Sequence, residues 1–270
     1  MIIIGEKING AIPAVKKAIE DRDAKEIQRR TLIQVEAGAN YIDCAPSTAP
    51  ELEYDAMVWL IEQIQECTDV PICIDSPNAK LLARVFEEGI IKAPGMINSV
   101  NEEGDKCETI FPLIAGTDWQ VIGLTCDKEG IPAQPDKKIE IAKRIIDKAN
   151  KYGVALDKLH IDPCVMALAT MPSAMKDFEE CIEGIHKIAP DVKVTGALSN
   201  ISFEMPARKY VNASCMDYAI RAGLDSAILD PTNKDLMGTI YAAEALCQID
   251  KGGRKYNRAY RQGKFGNIQK

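Results

Sequence analysis

The stretch Thr195-Gly196-Ala197-Leu198-Ser199-Asn200-Ile201-Ser202, followed by Arg208, concentrates side chains able to do chemistry in this chain of 270 residues. An apolar run leads into a turn carrying Ser199 and Asn200, and Arg208 adds one fixed cation close by in sequence. An Asn side chain offers both a donor and an acceptor and does not titrate. It suits a flat heterocycle whose edge mixes the two kinds of group. Other short apolar runs end in similar residues: Glu6 with Asn9, then Asp43, Asp75, Asn98, Thr125, Asp162 and Asp230. Seven of the eight run ends carry a carboxylate or an amide. Any one of them would serve as a helix N-cap or turn former. A set this regular points to one polar ring.

The elements that must position the ring are short strands alternating with amphipathic helices. The candidate strands are Ile2-Ile4, Tyr41-Cys44, Ile72-Asp75, Gly95-Asn98, Val121-Thr125, Leu159-Asp162, Val192-Leu198 and Ser226-Asp230. Between them, apolar residues recur at three and four. Leu52, Met57, Leu60, Ile61 and Ile64 form one such set, and Ile139, Ile141, Ala142, Ile145 and Ile146 another. Ala174, Phe178, Ile182 and Ile185 form a third, with Ser173 placed as its N-cap, and a last helix is predicted from about Asp235 to Cys247. Apolar strands separated by helices indicate a parallel sheet buried on both faces. Eight repeats in about 250 residues match an α/β fold of the (β/α)₈ TIM barrel type. A doubly wound open sheet would carry Gly-x-Gly-x-x-Gly after its first strand, and Gly5-Glu6-Lys7-Ile8-Asn9-Gly10 does not match it. The chain reads as a single domain, with the barrel over residues 1–250 and a loosely attached C-terminal tail over 251–270. Active sites of such barrels lie at the C-terminal strand ends, where the polar ring falls.

Three chemistries could use the ring. Metal-assisted hydrolysis would draw on several carboxylates, yet only His160 and His186 are available as imidazoles and no His-x-His follows the first strand. His186 sits in a helical pattern and reads as structural, and His160, two residues before Asp162, as a packed or supporting residue. Schiff-base chemistry needs a lysine inside the barrel at a strand end, and Lys7 and Lys193 are poor candidates. Recognition of a heterocycle needs separated Asp and Asn groups over an apolar floor, and the ring fits this best. Asp carboxylates accept from a 2-amino-4-oxo pyrimidine edge, while Asn serves the ring carbonyl or nitrogen.

Bulk properties narrow the setting. A formal net charge of −7 with no concentrated basic patch argues against nucleic acid. No apolar run approaches the ~18 residues that span a bilayer, and the start does not resemble a signal peptide. Nine cysteines without a Cys-x-x-Cys pair or zinc spacing read as reduced, buried hydrophobes in a cytoplasmic protein.

These segments together resemble a known family, the pterin-binding (β/α)₈ methyltransferases. It comprises the corrinoid-dependent methyltetrahydrofolate methyltransferases and the folate domain of cobalamin-dependent methionine synthase, with dihydropteroate synthase more distant. The matching segments are Ile3-Ile4-Gly5-Glu6-Lys7-Ile8-Asn9-Gly10, Tyr41-Ile42-Asp43, Cys73-Ile74-Asp75-Ser76, Met96-Ile97-Asn98-Ser99, Ile122-Gly123-Leu124-Thr125, Ile161-Asp162-Pro163, and Leu198-Ser199-Asn200-Ile201-Ser202-Phe203 with Arg208. Ala197 departs from the family, whose nearer members carry Gly directly before Leu-Ser-Asn.

The resemblance implies methyl transfer between 5-methyltetrahydrofolate and the cobalt of a corrinoid (cobalamin), in acetogenesis or in O- or N-demethylation. Asp75, Asn98 and Asp162 are then expected on the pterin edge, and Asn200 beside the methyl-bearing nitrogen as the catalytic group. Glu6, Asp43, Ser199 and Arg208 complete or support the pocket, and Phe203 faces the corrinoid. No metal is expected in the chain itself. It lacks the Asp-x-His-x-x-Gly signature of corrinoid proteins, so the corrinoid is expected on a separate partner protein. A homodimer is also implied. The alternatives are a dihydropteroate synthase-like condensing enzyme and a non-catalytic pterin-binding protein. The first is disfavoured because Ile228-Leu229-Asp230-Pro231 replaces the Arg-x-His of that family's last strand.

Overall fold

The computed structural model describes residues 1–267. Its strands are β1 (Ile2–Asn9), β2 (Tyr41–Ala45), β3 (Ile72–Asp75), β4 (Met96–Glu102), β5 (Gln120–Asp127), β6 (Leu159–Asp162), β7 (Lys193–Val194) and β8 (Ser226–Leu229). All ladders are parallel, in the order β7-β6-β5-β4-β3-β2-β1-β8. The remaining gap is bridged without a regular ladder. The Asp225 N–H donates to Val194 O at 3.0 Å, the Ile228 N–H to Gly196 O at 3.1 Å, and the Val194 N–H to the Asp225 carboxylate at 2.8 Å. The result is a nearly closed TIM-like barrel.

Side-chain parity explains the layers. Successive residues of a strand point to opposite faces. Ile42, Ile74, Ile97, Val121 and Ile161 belong to the large core between strands and helices. Ile4, Cys73, Met96 and Ile122 form a separate cluster, with Tyr41, Leu124 and Ile228 packed on it, inside the barrel.

The helices are α1 (Pro13–Glu20), α2 (Ala24–Ala37), α3 (Pro50–Cys67), α4 (Ala79–Glu87), α5 (Lys106–Ile114), α6 (Pro135–Tyr152), α7 (Ala174–Ile188), α8 (Arg208–Ala222), α9 (Lys234–Leu246) and α10 (Arg254–Arg261). Proline opens α1, α3 and α6, where its missing N–H costs nothing. None of these helices is long and apolar enough to cross a membrane.

Several details differ from the sequence reading. β7 covers only Lys193–Val194, because Leu198–Ser202 coils into a 3₁₀ turn that buries Leu198 and Ile201. Ser173 does not cap α7; its backbone is already helical and its hydroxyl donates to the Asp177 carboxylate at 2.6 Å. The run after Gly252, expected as a loosely attached tail, packs on the barrel through α10. Phe265 is 6 % exposed and its ring lies 4.9 to 5.8 Å from those of Tyr241, Tyr256 and Tyr260. Lys255 pairs with the buried Glu244 at 2.7 Å. The last three residues of that expected tail lie outside the described residues.

The N-terminal end of the barrel is closed by a polar chain through His160. The Gln120 amide donates to the Tyr41 oxygen at 2.6 Å, so its carbonyl oxygen faces His160 Nε2, also at 2.6 Å. That nitrogen therefore carries the proton, and Nδ1 accepts from the Ser226 hydroxyl at 2.7 Å. Burial, helped slightly by Lys193, pushes the imidazole down to about 3. The unfolded chain takes up a proton below its ordinary value near 6.5, which the folded protein refuses until about 3. This contribution to stability is full above pH 6.5 and is lost as pH falls toward about 3. His160→Gln removes the titration. Between about pH 6.5 and 4.5 the wild type is expected to lose about 2–3 kcal/mol more stability than the variant. Urea unfolding of both proteins at the two pH values checks this, and equal losses would refute it.

Candidate active site

Five inward positions sit directly above inward residues of the layer below. Glu6 follows Ile4 by two residues, Asp43 follows Tyr41, Asp75 follows Cys73, Asn98 follows Met96, and Asp162 follows His160. Strand parity thus delivers four carboxyls and one amide to one end of the barrel. They line a cavity of about 560 Å³ together with Asn9, Ser199 and Asn200, and Leu124 and Ile228 contribute apolar wall. This volume lies within the range of small-molecule sites.

The loops after β1 and β2 meet at the rim. The Gly10 N–H donates to Ala45 O at 2.8 Å, and a Cβ at Gly10 would stand 1.9 Å from Pro46 O. Only glycine fits there. The Asn9 side-chain Oδ1 accepts from the Ala11 N–H at 2.8 Å and from the Ser47 hydroxyl at 3.1 Å, joining the loops after β1 and β2. The Ser76 N–H donates to Asn98 O at 2.9 Å, which fixes the spacing between Asp75 and Asn98.

The Leu198–Ser202 turn carries Ser199 and Asn200 to the cavity from the β7 side. Arg208 does not line the cavity. Its Nε donates to Ser202 Oγ at 2.9 Å and its Nη2 to Ser199 O at 2.7 Å, so the guanidinium braces the turn. Ala197 has φ −90° and lines the cavity, a conformation in which a Cβ is tolerated. Phe203 ends the turn outside the cavity and is 58 % exposed.

Burial dominates the electrostatics. Asp43 is 2 % exposed, and burial followed by the Asp75 charge pushes its carboxyl well above the usual range. Its Oδ1 has no hydrogen-bond partner among the described residues. Burial, then Glu53, pushes Asp75 up to about 6. Asp162 is also held at about 6; burial raises it, while the Cys164 N–H, the Lys138 ammonium and the Ala197 N–H oppose. Burial and then Asp230 raise Glu6. The neighbouring thiols Cys44, Cys73 and Cys164 are all pushed up by burial, so none is poised as a thiolate nucleophile. Among the described residues no three His, Cys, Asp or Glu side chains converge as a metal site. The arrangement offers buried acceptors, acidic carboxyls and amide groups to one flat polar ligand.

Two ring members expected from sequence stand elsewhere. Thr125 is fully buried toward the helices, and Leu124, of the opposite parity, lines the cavity. Asp230 lies beside the main cavity in a small adjoining pocket shared with Glu6 and Ser199, and pairs with Lys7 at 3.1 Å. His186 bonds Gly223 O at 3.1 Å before β8, apart from the cavity. Sequence reasoning missed Ser76, Ser99, Asn101, Glu103 and Lys106, which also line the cavity. Ser76 adjoins Asp75 and was legible by position. Asn101 was not, because β4 has register irregularities between Asn98 and Glu102 that flip its parity.

Comparison with known proteins adds lineage to this geometry. The family described as pterin binding enzyme matches residues 14–230. A methylcorrinoid:tetrahydrofolate methyltransferase of Eubacterium limosum is 47% identical over 271 residues, covering 100% of this chain and 99% of that protein. Methionine synthase of Mycobacterium tuberculosis is 31% identical over 242 residues, covering 85% of this chain and 20% of the synthase. The structure of a Yersinia pestis DHPS with a pterine-sulfa conjugate superimposes with a TM-score of 0.64 at 17% identity, covering 91% of this chain and 93% of that one. At that identity the likeness concerns the fold.

The state of Asp43 is open to a stability measurement. Its folded carboxyl keeps a proton that the unfolded chain releases above the ordinary value near 3.8. Wild-type stability from this group is therefore present at low pH and lost as pH rises toward the folded value. Asp43→Asn removes the titration with little change of shape. The stability of the variant relative to wild type is expected to grow as pH rises above the ordinary carboxyl value near 3.8, with a slope of at most about 1.4 kcal/mol per pH unit while the folded carboxyl keeps its proton. Urea unfolding across that range checks it; a constant difference would show Asp43 to be ionised.

Proposed function

The chain belongs to the pterin-binding enzyme family, and from that premise we propose that it moves a methyl group between 5-methyltetrahydrofolate and the cobalt of a corrinoid held by a separate protein. The observation that carries this reading is the full-length relationship, at 47% identity, to a methylcorrinoid:tetrahydrofolate methyltransferase. The cavity is consistent with it. A 2-amino-4-oxo pyrimidine edge presents donors that suit Asp75 and Asp162, and a ring carbonyl or nitrogen that suits Asn98. The unpartnered Asp43 Oδ1 gives the ligand a further buried polar atom to satisfy.

The chemical obstacle is the leaving group. Methyl transfer from a tertiary amine would expel an amide anion unless the pterin nitrogen gains a proton or a strong hydrogen bond. Asn200 stands at the cavity edge and donates a hydrogen bond that strengthens as charge develops, a contact worth ~3 kcal/mol. Its amide does not ionise, so the proton comes from solvent through the carboxyl network. Glu6 and Asp43, both raised by burial, are the acidic members of that network. Asp75, Asn98 and Asp162 hold the ring so that the cobalt approaches in line with the methyl group. Ser199 and Arg208 act by fixing the turn. The reverse transfer uses the same groups.

In this reading the corrinoid protein docks over the open end of the barrel, where Phe203 projects. The protein works in the cytoplasm as a homodimer, and the exposed tyrosines Tyr210 and Tyr218 beside Leu168 and Met175 provide apolar surface for a second copy. A dihydropteroate synthase activity is disfavoured by the absence of an Arg-x-His at the end of β8.

The direct test mixes the protein with 5-methyltetrahydrofolate and cob(I)alamin and follows methylation in the cobalt spectrum. Tight folate binding without transfer would favour a non-catalytic pterin binder. Asn200→Ala is expected to slow transfer by ~10²-fold or more with folding intact, and a near wild-type rate would remove Asn200 from the mechanism. Asp75→Ala is expected mainly to weaken folate binding. An unchanged titration would take Asp75 off the pterin edge.

A further inference from the structure

Two buried charges lie just outside the cavity, and neither takes part in the chemistry above. Lys138, in the first turn of α6, is 3 % exposed. Its Nζ donates to Cys164 O at 2.8 Å, and among the described residues it makes no ion pair within 4.0 Å. A cation there is disfavoured twice, by loss of water and by the positive end of the helix dipole. The nearby compensation is Asp162. Cys164 follows it by two residues with φ +53°, and the Cys164 N–H donates to Asp162 Oδ1 at 2.7 Å. One residue thus joins the cavity carboxylate on its amide side to the hidden ammonium on its carbonyl side.

Glu53 mirrors this arrangement with opposite sign. It lies in the first turn of α3, is 7 % exposed, and has no basic partner within 4.0 Å among the described residues. An anion suits the helix N-terminus. Its Oε1 accepts from the buried Ser76 hydroxyl at 2.6 Å, and Ser76 adjoins Asp75. The Ser76 oxygen in turn accepts from Asn78 N–H at 3.0 Å.

We propose that Lys138 and Glu53 are positioning residues that act on the two cavity carboxyls from behind with opposite charge, Lys138 on Asp162 through Cys164 and Glu53 on Asp75 through Ser76. That these carboxyls meet a pterin rests on the function proposed above; the charge assignment does not. The two carboxyls reach about 6 by different balances: Asp162 is offset by a cation and two N–H groups, while Asp75 is raised further by an anion. The other titratable groups facing Asp162 are the thiol of Cys164 in its own loop, which burial keeps protonated, and, across the cavity, Glu6, Asp43, Asp75, Glu103 and Lys106. Those facing Asp75 are Asp43 on β2, the thiols Cys44 and Cys73, and Glu6 beyond Asp43. Lys138 on α6 and Glu53 on α3 are the buried charged side chains that back the pair from the helices.

The test uses Lys138→Met and Glu53→Gln in the full chain, with circular dichroism to confirm folding. Aspartate carboxyls are titrated by ¹³C NMR without ligand, and 5-methyltetrahydrofolate affinity is measured against pH. Lys138→Met is expected to move the Asp162 midpoint up by about one pH unit and to shift the acid limb of folate binding the same way. Glu53→Gln is expected to move the Asp75 midpoint down and extend binding to lower pH. Unmoved midpoints, or shifts of the same sign in both variants, overturn the proposal. A merely structural role would weaken affinity at every pH without moving either midpoint. If Lys138→Met does not fold, the sign of the Glu53→Gln shift decides. Failure of the wild type to bind 5-methyltetrahydrofolate would overturn the pterin reading, and the carboxyl titrations would still decide the charge assignment.

Discussion

Closure of a parallel sheet forces every second side chain of each strand into a shared interior, and the rest of this protein depends on that parity. Because Ile4, Tyr41, Cys73, Met96 and His160 point inward, the residues two positions later must do so as well. Glu6, Asp43, Asp75, Asn98 and Asp162 therefore converge without any loop having to find them. A slip of one residue in β2, β3 or β6 would put Ile42, Ile74 or Ile161 of the helix layer in place of a cavity carboxyl. Fold and site are held by one register. That explains why the interior is polar at both ends, with the His160 chain below and the carboxyl ring above an apolar middle.

The same convergence creates an electrostatic difficulty. Glu6, Asp43, Asp75, Glu103 and Asp162 line one cavity, and Lys106 is the cation among its described lining residues. Protonation is the available relief, and burial raises Glu6, Asp43, Asp75 and Asp162. A site built in this way keeps its carboxyl protons to higher pH than free carboxyls would. It also makes the surrounding helices part of the site. Charges on α3 and α6 stand close enough to act on carboxyls that belong to the strands.

Much of this was legible from residue order. β3 and β6 run over the expected Ile72–Asp75 and Leu159–Asp162, because each is a short apolar run stopped by Asp. The inward carboxyls follow from strand ends and parity. Parity would also have excluded Thr125, which stands one residue past the inward Leu124. Other features depend on tertiary context. The irregular register of β4 that brings Asn101 inside has no local signature, and β7 is cut short by a turn whose Leu198 and Ile201 are drawn into the core. Ser173 has the chemistry of a cap but not its extended backbone. The C-terminal segment looks solvated because it is rich in Lys and Arg, yet Tyr256, Ala259 and Tyr260 share one face of α10. Their partner Phe265 lies outside that helix.

The unladdered seam between β7 and β8 has a mechanical meaning. Everywhere else the wall of the barrel is held by parallel ladders between neighbouring strands. Here a few separate bonds, including one to the Asp225 side chain, carry the load. The Leu198–Ser202 turn hangs from this seam and is tied on its outer side by Arg208. Local opening is cheapest where few bonds must break together. The barrel is thus stiff around most of its circumference and compliant along one staff, and Asn200 rides on the compliant part.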